Sequence, residues 1–148
     1  MVQASDVQKL RGETGAGIME CKKALSEADG DFIKAKEIIR RMGLAKADTK
    51  SKRVAGAGRI ESYVHNDRVG VLLEIHSETD FVAHSEAFIE LAHNIAMQIA
   101  AMDPESVEVL LTQEFIKDSK TTISDLIKGG IAKFGENIQV IRFTRYEI

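Results

Sequence analysis

A strict alternation of apolar residues near the middle of the chain most constrains its fold. Every second residue from 69 to 75 is apolar, in the order Val69, Val71, Leu73 and Ile75. Such side chains lie on one face of a β-strand. The preceding segment RIESYVH (59–65) also alternates, and Asn66-Asp67 between the two is a turn signal. Together they predict an antiparallel hairpin with one buried face.

The residues after this hairpin predict helices and one more strand. A helix is expected from about Ser85 to Met102, ended by Pro104, and another through TISDLIKGGIAKF (122–134), weakened by its glycine pair. VEVLL (107–111) is a candidate for a short helix. NIQVIRFTRYEI (137–148) predicts a strand, and its apolar residues on both faces favour a central place in the sheet. Residues 58–148 therefore predict an α+β core domain, a small antiparallel sheet packed with helices.

The first 45 residues predict a separate three-helix module. The first helix begins at Ser5 or Asp6 and is broken by the glycines of TGAG (14–17). The second follows through 18–28 with an apolar face, and the third runs through 32–42, with Gly43 as its natural end. The inward positions of the second helix are Ile18, Cys21, Ala24, Leu25 and Ala28. Residues 46–57 are basic and glycine-containing and predict a linker, with a helical start left open.

The composition argues against several functional classes. Of 148 residues, 29% are charged, but the net charge is only −3, so a protein partner is favoured over nucleic acid. Cys21 is the only cysteine, which excludes an internal disulfide, fits a reducing cytoplasm or organelle matrix, and is expected to be a packing residue. No run reaches the roughly 20 apolar residues that span a membrane, and the N-terminus lacks the apolar core of a secretory signal.

The segment HSETDFVAH (76–84) carries the candidate chemistry. A metal site would use His76, Glu78, Asp80 and His84, joined by His65 from the paired strand. A second hypothesis makes Glu78 and Asp80 an acid/base pair. No nucleophile motif or cofactor loop accompanies them, and the glycines of GETGAG (12–17) lack the GK[ST] of a phosphate loop. We therefore expect no metal, no cofactor and no covalent chemistry.

Phe81 leaves two interpretations open. As an apolar residue between a strand and a helix, it is expected in the core under the following helix. Alternatively, it is an exposed aromatic wedge beside a carboxylate, since aromatic residues on rigid turns are frequent hot spots of interfaces. The local pattern alone favours the core.

Three stretches in this order resemble a known family: LRGETGAGIMECKKALSEADGD (10–31), SETDFVA (77–83) and IAKFGENIQVIRF (131–143). They are similar to bacterial and organellar translation elongation factor Ts, the guanine-nucleotide exchange factor of elongation factor Tu. The resemblance covers nearly the whole chain. It implies a ubiquitin-associated-like N-terminal module, Tu as partner, and GDP release through disturbed Mg²⁺ and phosphate contacts in Tu.

The resemblance also implies which residues touch Tu. The N-terminal module would dock through Arg11, Ile18, Met19 and Lys22. The wedge would be the turn Thr79, Asp80, Phe81 and Val82, with Phe81 inserted into the nucleotide-binding domain of Tu. Phe134-Gly135 would contact the same region, although the family usually has isoleucine in the first position. His65 matches a hairpin histidine that contacts Tu elsewhere.

The chain departs from the long members of the family in having one core subdomain. QEFIKDSKTTISDLI (113–127) resembles the family's segment after a helical insertion, so that insertion is expected to be almost absent. Single-subdomain relatives can act as homodimers, which predicts a homodimer in a 2:2 complex. The alternatives are a protein-binding module without exchange activity and a small metalloenzyme that uses the HSETDFVAH side chains.

Overall fold

The computed structural model describes all 148 residues and confirms the α+β class. Its contacts form two compact units, Met1–Lys46 and Ala47–Ile148. The elements in chain order are α1 (Ala4–Thr14), α2 (Ile18–Glu27), α3 (Phe32–Lys50), β1 (Ala57–His65), β2 (Val69–Ser77), α4 (Asp80–Ala83), α5 (Glu86–Met102), α6 (Val107–Thr112), β3 (Glu114–Phe115), β4 (Asp118–Thr122), α7 (Ile123–Phe134) and β5 (Gln139–Glu147). None of the helices is both long enough and apolar enough to cross a membrane.

The N-terminal unit packs its helices around a small apolar core. Leu10, Cys21 and Leu25 are essentially inaccessible to solvent, so Cys21 is a packing residue as expected. Gly15 ends α1 in the left-handed conformation with φ 71°, which glycine adopts without steric cost. At the surface, an ion pair with Lys36 lowers the pKa of Glu13, chiefly through their hydrogen bond.

The predicted end of the third helix at Gly43 is wrong. The helix α3 continues to Lys50 and takes in the first residues of the predicted linker. Glycine inside a helix costs only about 1 kcal/mol relative to alanine. Residues 44–47 are good helix formers, and Ala47 is buried in the apolar core of the second unit. This packing outweighs the preference of Gly43. The segment without regular helix or strand is therefore shorter than predicted and lies between Lys50 and Ala57. The three-part division at 45 and 57 stays a prediction.

The second unit is built on the predicted hairpin. Strands β1 and β2 are antiparallel, with Ala57 opposite Ser77 and His65 opposite Val69. The alternating residues Val71, Leu73 and Ile75 are buried as predicted. They share their cluster with the apolar stripe of α5, which includes Phe88, Leu91, Ile95 and Ile99. One face of the sheet is thus covered by helix.

The last strand is at the edge of the sheet, so its predicted central place is wrong. The strand order is β1-β2-β5, which puts β2 in the centre. Apolar side chains of β5 that would be buried in a central strand are exposed: Ile141 is 41% exposed and Tyr146 is 75% exposed. Tyr146 lies on an open outer face of the sheet together with exposed residues of β1 and β2, whereas Ile141 is the unpaired residue of a bulge opposite Glu74 and Ile75. The name outer face is used below for Ile60, Val64, Leu72, Glu74, Arg142 and Tyr146.

A small hairpin, β3–β4, was not predicted. Its strands are short and mostly polar, so they carry no alternating apolar signal. The fully buried Gln98 of α5 holds it in place. The side-chain amide of Gln98 donates to the carbonyl of Glu114 at 3.0 Å and accepts from the amide of Ile116 at 2.9 Å. The predicted short helix at VEVLL is present as α6.

Candidate functional site

The turn after β2 exposes a large aromatic side chain. Phe81 lies in the one-turn helix α4 and is 87% exposed, whereas the two residues after it, Val82 and Ala83, are buried. The core position that the local pattern favours for Phe81 is therefore wrong. An exposed phenylalanine next to two buried residues of the same short helix is not explained by the packing of this unit.

The turn is capped from within. Thr79 is in extended conformation, and its hydroxyl accepts a hydrogen bond from the amide of Val82 at 3.4 Å. The carbonyl of Thr79 accepts from the hydroxyl of the fully buried Ser77 at 2.9 Å. A threonine N-cap and buried apolar residues fix the first turn of a helix that would be too short to form alone. The backbone under Phe81 is therefore well anchored.

A second segment, distant in sequence, holds the same turn. Both carboxylate oxygens of Glu136 accept hydrogen bonds from Thr79: one from its amide at 3.0 Å, the other from its hydroxyl at 2.8 Å. In return, Glu78 accepts from the amide of Asn137 at 2.8 Å. The side chain of the buried Asn137 donates to the carbonyl of Arg53 at 2.7 Å. Each segment thus supplies one glutamate to the backbone of the other. The pairs Thr79–Glu136 and Glu78–Asn137 are called the reciprocal clamp below.

Phe134 and Gly135 bring Glu136 to this position. Phe134 ends α7, is partly buried and packs edge-to-face on Phe88 with ring centroids 6.1 Å apart. Gly135 follows with φ 71°, a conformation that residues with a Cβ adopt only with strain. The chain therefore turns sharply after α7 and directs Glu136 and Asn137 toward the end of β2.

The geometry does not support the metal hypothesis. The strand ends at Ser77, so Glu78 and Asp80 do not continue one face with His76. The Nδ1 atom of His76 lies 2.9 Å from the carbonyl of Ala55, and that of His84 lies 2.7 Å from the carbonyl of Asp80. No three or more histidine, cysteine or acidic side chains are grouped in a way that would hold a metal ion.

The four predicted docking residues of the N-terminal unit are on its surface. Ile18 is 56% exposed and Met19 is 73% exposed, and Arg11 and Lys22 are exposed beside them. Arg11, Ile18 and Lys22 line an open cleft of about 330 Å³ with Val7. The inward position that helical spacing gives to Ile18 is wrong, because Ile18 is the first residue of α2 and its side chain lies at this cleft instead of in the core.

His65 lies at the exposed end of β1. The hydroxyl of Tyr63 is 3.0 Å from its Nδ1 atom, and the Tyr63 ring also packs edge-to-face on His93 with centroids 5.4 Å apart. The hairpin histidine is thus held by neighbours on the same face, separately from the turn at Phe81.

Comparison with known proteins identifies the family. The model of the elongation factor TS family matches residues 34–108 and 78–148. The chain is 41% identical to elongation factor Ts of Moorella thermoacetica over 100% of its own length and 96% of that protein. The chain belongs to the elongation factor Ts family. Elongation factor Ts of the chloroplast of Rhodomonas salina is 42% identical, with 99% of this chain and 89% of that protein covered. The predicted resemblance is confirmed.

The relatives differ from this chain in length. A chloroplastic polyprotein of rice is 40% identical over 99% of this chain, which spans only 17% of the polyprotein. The alignments with elongation factor Ts of Moorella thermoacetica and with the Rhodomonas salina protein each run over 194 positions, whereas this chain has 148 residues. Within the aligned span the relatives therefore carry residues that have no counterpart here, and the absence of the insertion stays a prediction.

Sequence reasoning missed Glu78, Glu136 and Asn137 as parts of the site. The sequence alone indicates Glu78 as a metal ligand or a base, and Glu136 and Asn137 only as part of a family motif. Their partners are 57 or more residues away. One sequence signal points to Glu136 and Asn137: they directly follow a glycine that ends a predicted helix, a position from which polar side chains can contact another segment.

Proposed function

We propose that this protein is the guanine-nucleotide exchange factor of elongation factor Tu, acting by insertion of Phe81 into the nucleotide-binding domain of Tu. One observation carries the proposal: Phe81 is 87% exposed on a backbone that is capped, packed and hydrogen-bonded to a second segment. An exposed aromatic side chain on a rigid backbone is suited to enter a groove of a partner, because little backbone conformational entropy is lost on binding. The process needs no covalent chemistry.

The turn residues have different roles in this proposal. Asp80 is exposed beside Phe81 and acts at the same interface. Thr79 and the buried Val82 anchor the turn. Gly135 and the exposed part of Phe134 form the adjoining surface, and His65 makes a separate contact from the hairpin.

The N-terminal unit supplies binding energy apart from the wedge. Burying one phenylalanine contributes about 1.5–3 kcal/mol, which corresponds to roughly a 10- to 150-fold change in GDP affinity. Faster release than this requires that contacts to Mg²⁺ and phosphate also be lost. The docking residues Arg11, Ile18, Met19 and Lys22 stabilise the complex while Tu is distorted.

We expect the complex with Tu to form without nucleotide and to dissociate when GDP is added. The reason is linkage: if the factor weakens GDP binding, GDP weakens binding of the factor by the same ratio. Sedimentation of both proteins with and without excess GDP measures this. If the amount of complex does not change when GDP is added, exchange activity is contradicted. That result would favour the alternative, a binding module in which the N-terminal unit binds its partner without affecting nucleotide.

The outer face supports the predicted homodimer. Ile60, Val64, Leu72 and Tyr146 are all more than half exposed on it. Near its centre, Arg142 and Glu74 form an ion pair of 3.2 Å beside an open cleft of about 420 Å³. An apolar face with a charged pair is self-complementary about a two-fold axis, since each partner presents both signs of charge. We propose that a second copy covers this face, which gives a 2:2 complex with Tu.

Leu72→Lys is expected to convert the dimer into a monomer, because two-fold symmetry buries a lysine from each copy in an apolar contact. Sedimentation equilibrium of the free protein measures the change. Ile116→Lys is the matched control, since Ile116 is also exposed but lies at the β3–β4 hairpin. A monomeric wild-type protein at micromolar concentration would contradict the dimer.

The compartment stays a prediction. The relatives include chloroplastic as well as bacterial proteins, so we propose the cytoplasm or an organelle matrix as the site of action.

A further inference from the structure

We infer that Glu136, through the reciprocal clamp, is a positioning residue that fixes the direction in which Phe81 is presented. The inference rests on the proposed function, in which Phe81 is the inserted side chain. It assigns to Glu136 a role in exchange without contact to Tu.

The contacts of Thr79 explain how Glu136 acts at a distance. The hydroxyl of Thr79 has one proton, which it donates to Glu136 at 2.8 Å, and its lone pairs then remain free to accept from the amide of Val82. The same carboxylate accepts from the Thr79 amide at 3.0 Å. One side chain therefore orients the hydroxyl of the N-cap residue Thr79 and fixes its backbone directly before the one-turn helix α4. Charge-assisted hydrogen bonds of this kind are stronger than neutral ones.

Phe81 itself has little to hold it. Its side chain is 87% exposed, and it is two residues from Thr79 within a helix of four residues. Without Glu136, Thr79 would keep its bond to Val82 but lose both links to the segment after α7. The turn would remain attached through Val82 and Ala83, and its N-terminal end would be held only by the hydroxyl of Ser77 and by the other half of the clamp, which leaves that end more freedom to rotate. The direction of the Phe81 side chain follows directly from that end.

The clamp is also favourable for a test, because its two halves differ in exposure. Thr79 is exposed, so its amide and hydroxyl can be hydrated when Glu136 is removed. Asn137 is 1% exposed, so loss of Glu78 would leave a buried amide without a partner. Glu136→Ala is therefore expected to preserve the fold, whereas Glu78→Ala is expected to destabilise it.

The test is a double-mutant cycle between Glu136 and Phe81, read as the maximal rate of GDP release from Tu at saturating factor. We expect Glu136→Ala to lower this rate about tenfold, because misplacing an interacting group by about 1 Å can cost up to roughly a hundredfold. In the Phe81→Ala background the same change should have no further effect. Glu136→Gln, which keeps one carbonyl acceptor, should be intermediate, and Thr79→Ser, which keeps the hydroxyl, should be close to wild type.

Two controls separate positioning from folding and from charge. Glu105→Ala removes the same charge from an exposed glutamate outside the clamp and should leave the rate unchanged. Tyrosine fluorescence during urea unfolding reports on the second unit alone, since Tyr63 and Tyr146 are the only tyrosines and there is no tryptophan. The unfolding midpoint of Glu136→Ala should be close to that of wild type.

Three results would overturn the inference. An equal loss in both backgrounds would mean that Glu136 touches Tu directly. An unchanged rate for Glu136→Ala, with a strong loss for Phe81→Ala, would remove Glu136 from the mechanism and leave the proposed function standing. If the wild-type protein does not accelerate GDP release, both the role of Glu136 and the proposed exchange function are contradicted.

Discussion

Phe81→Ala is expected to reduce the maximal acceleration of GDP release from Tu by about 10- to 150-fold, the equivalent of the roughly 1.5–3 kcal/mol that burial of a phenylalanine supplies. Stopped-flow release of fluorescent GDP measures the rate. Because the side chain is 87% exposed, its removal should leave the stability of the free protein within about 0.5 kcal/mol of wild type.

The matched control for this prediction is another exposed apolar residue outside the site. Val54 is 88% exposed between α3 and β1. The Val54→Ala variant should accelerate GDP release from Tu as much as the wild-type protein does. Phe81→Leu should be intermediate, since it keeps part of the apolar volume. If Phe81→Ala exchanges GDP as fast as wild type, Phe81 is not the inserted residue.

Gly58→Ala is expected to destabilise the second unit by about 3 kcal/mol or more, at the upper end for overpacked sites. A Cβ at Gly58 would lie 2.4 Å from the carbonyl oxygen of Ile75 and 2.9 Å from the Cα of His76. Both are backbone atoms of the paired strand β2, so no side-chain rotation relieves the overlap and the two strands must separate. The urea midpoint followed by tyrosine fluorescence measures the effect.

Gly70→Ala provides the control in the same pair of strands. Gly70 has nothing within 4 Å of its would-be Cβ, so alanine there should leave the midpoint nearly unchanged. Equal midpoints for the two variants would show that the backbones of β1 and β2 do not approach each other closely at Gly58.

Most of the fold was predictable because its signals are local. The period of two at Val71, Leu73 and Ile75 sets the buried face of the hairpin, and the stripe of α5 covers it. Predictions failed where tertiary contacts outweigh a local preference. Gly43, which favours the end of a helix, lies inside α3 because the helix continues to Ala47 and Ala47 packs in an apolar core. Strand β5 has two apolar faces, yet it lies at an edge.

The site was less predictable than the fold. An apolar residue between a strand and a helix usually packs inward, and nothing local to Phe81 indicates that it is exposed; the flanking family motifs did. The partnership of Thr79 with Glu136 bridges 57 residues and depends on the sharp turn at Gly135. Such a contact follows from the packed structure and has no periodic signal in the sequence.

The most direct measurement of the central claim is the rate of fluorescent GDP release from Tu as a function of the concentration of this protein. We expect the rate to rise and then saturate, with a strong loss of the plateau for Phe81→Ala and no loss for Val54→Ala. A release rate that stays at the intrinsic value of Tu at every concentration would contradict the exchange function.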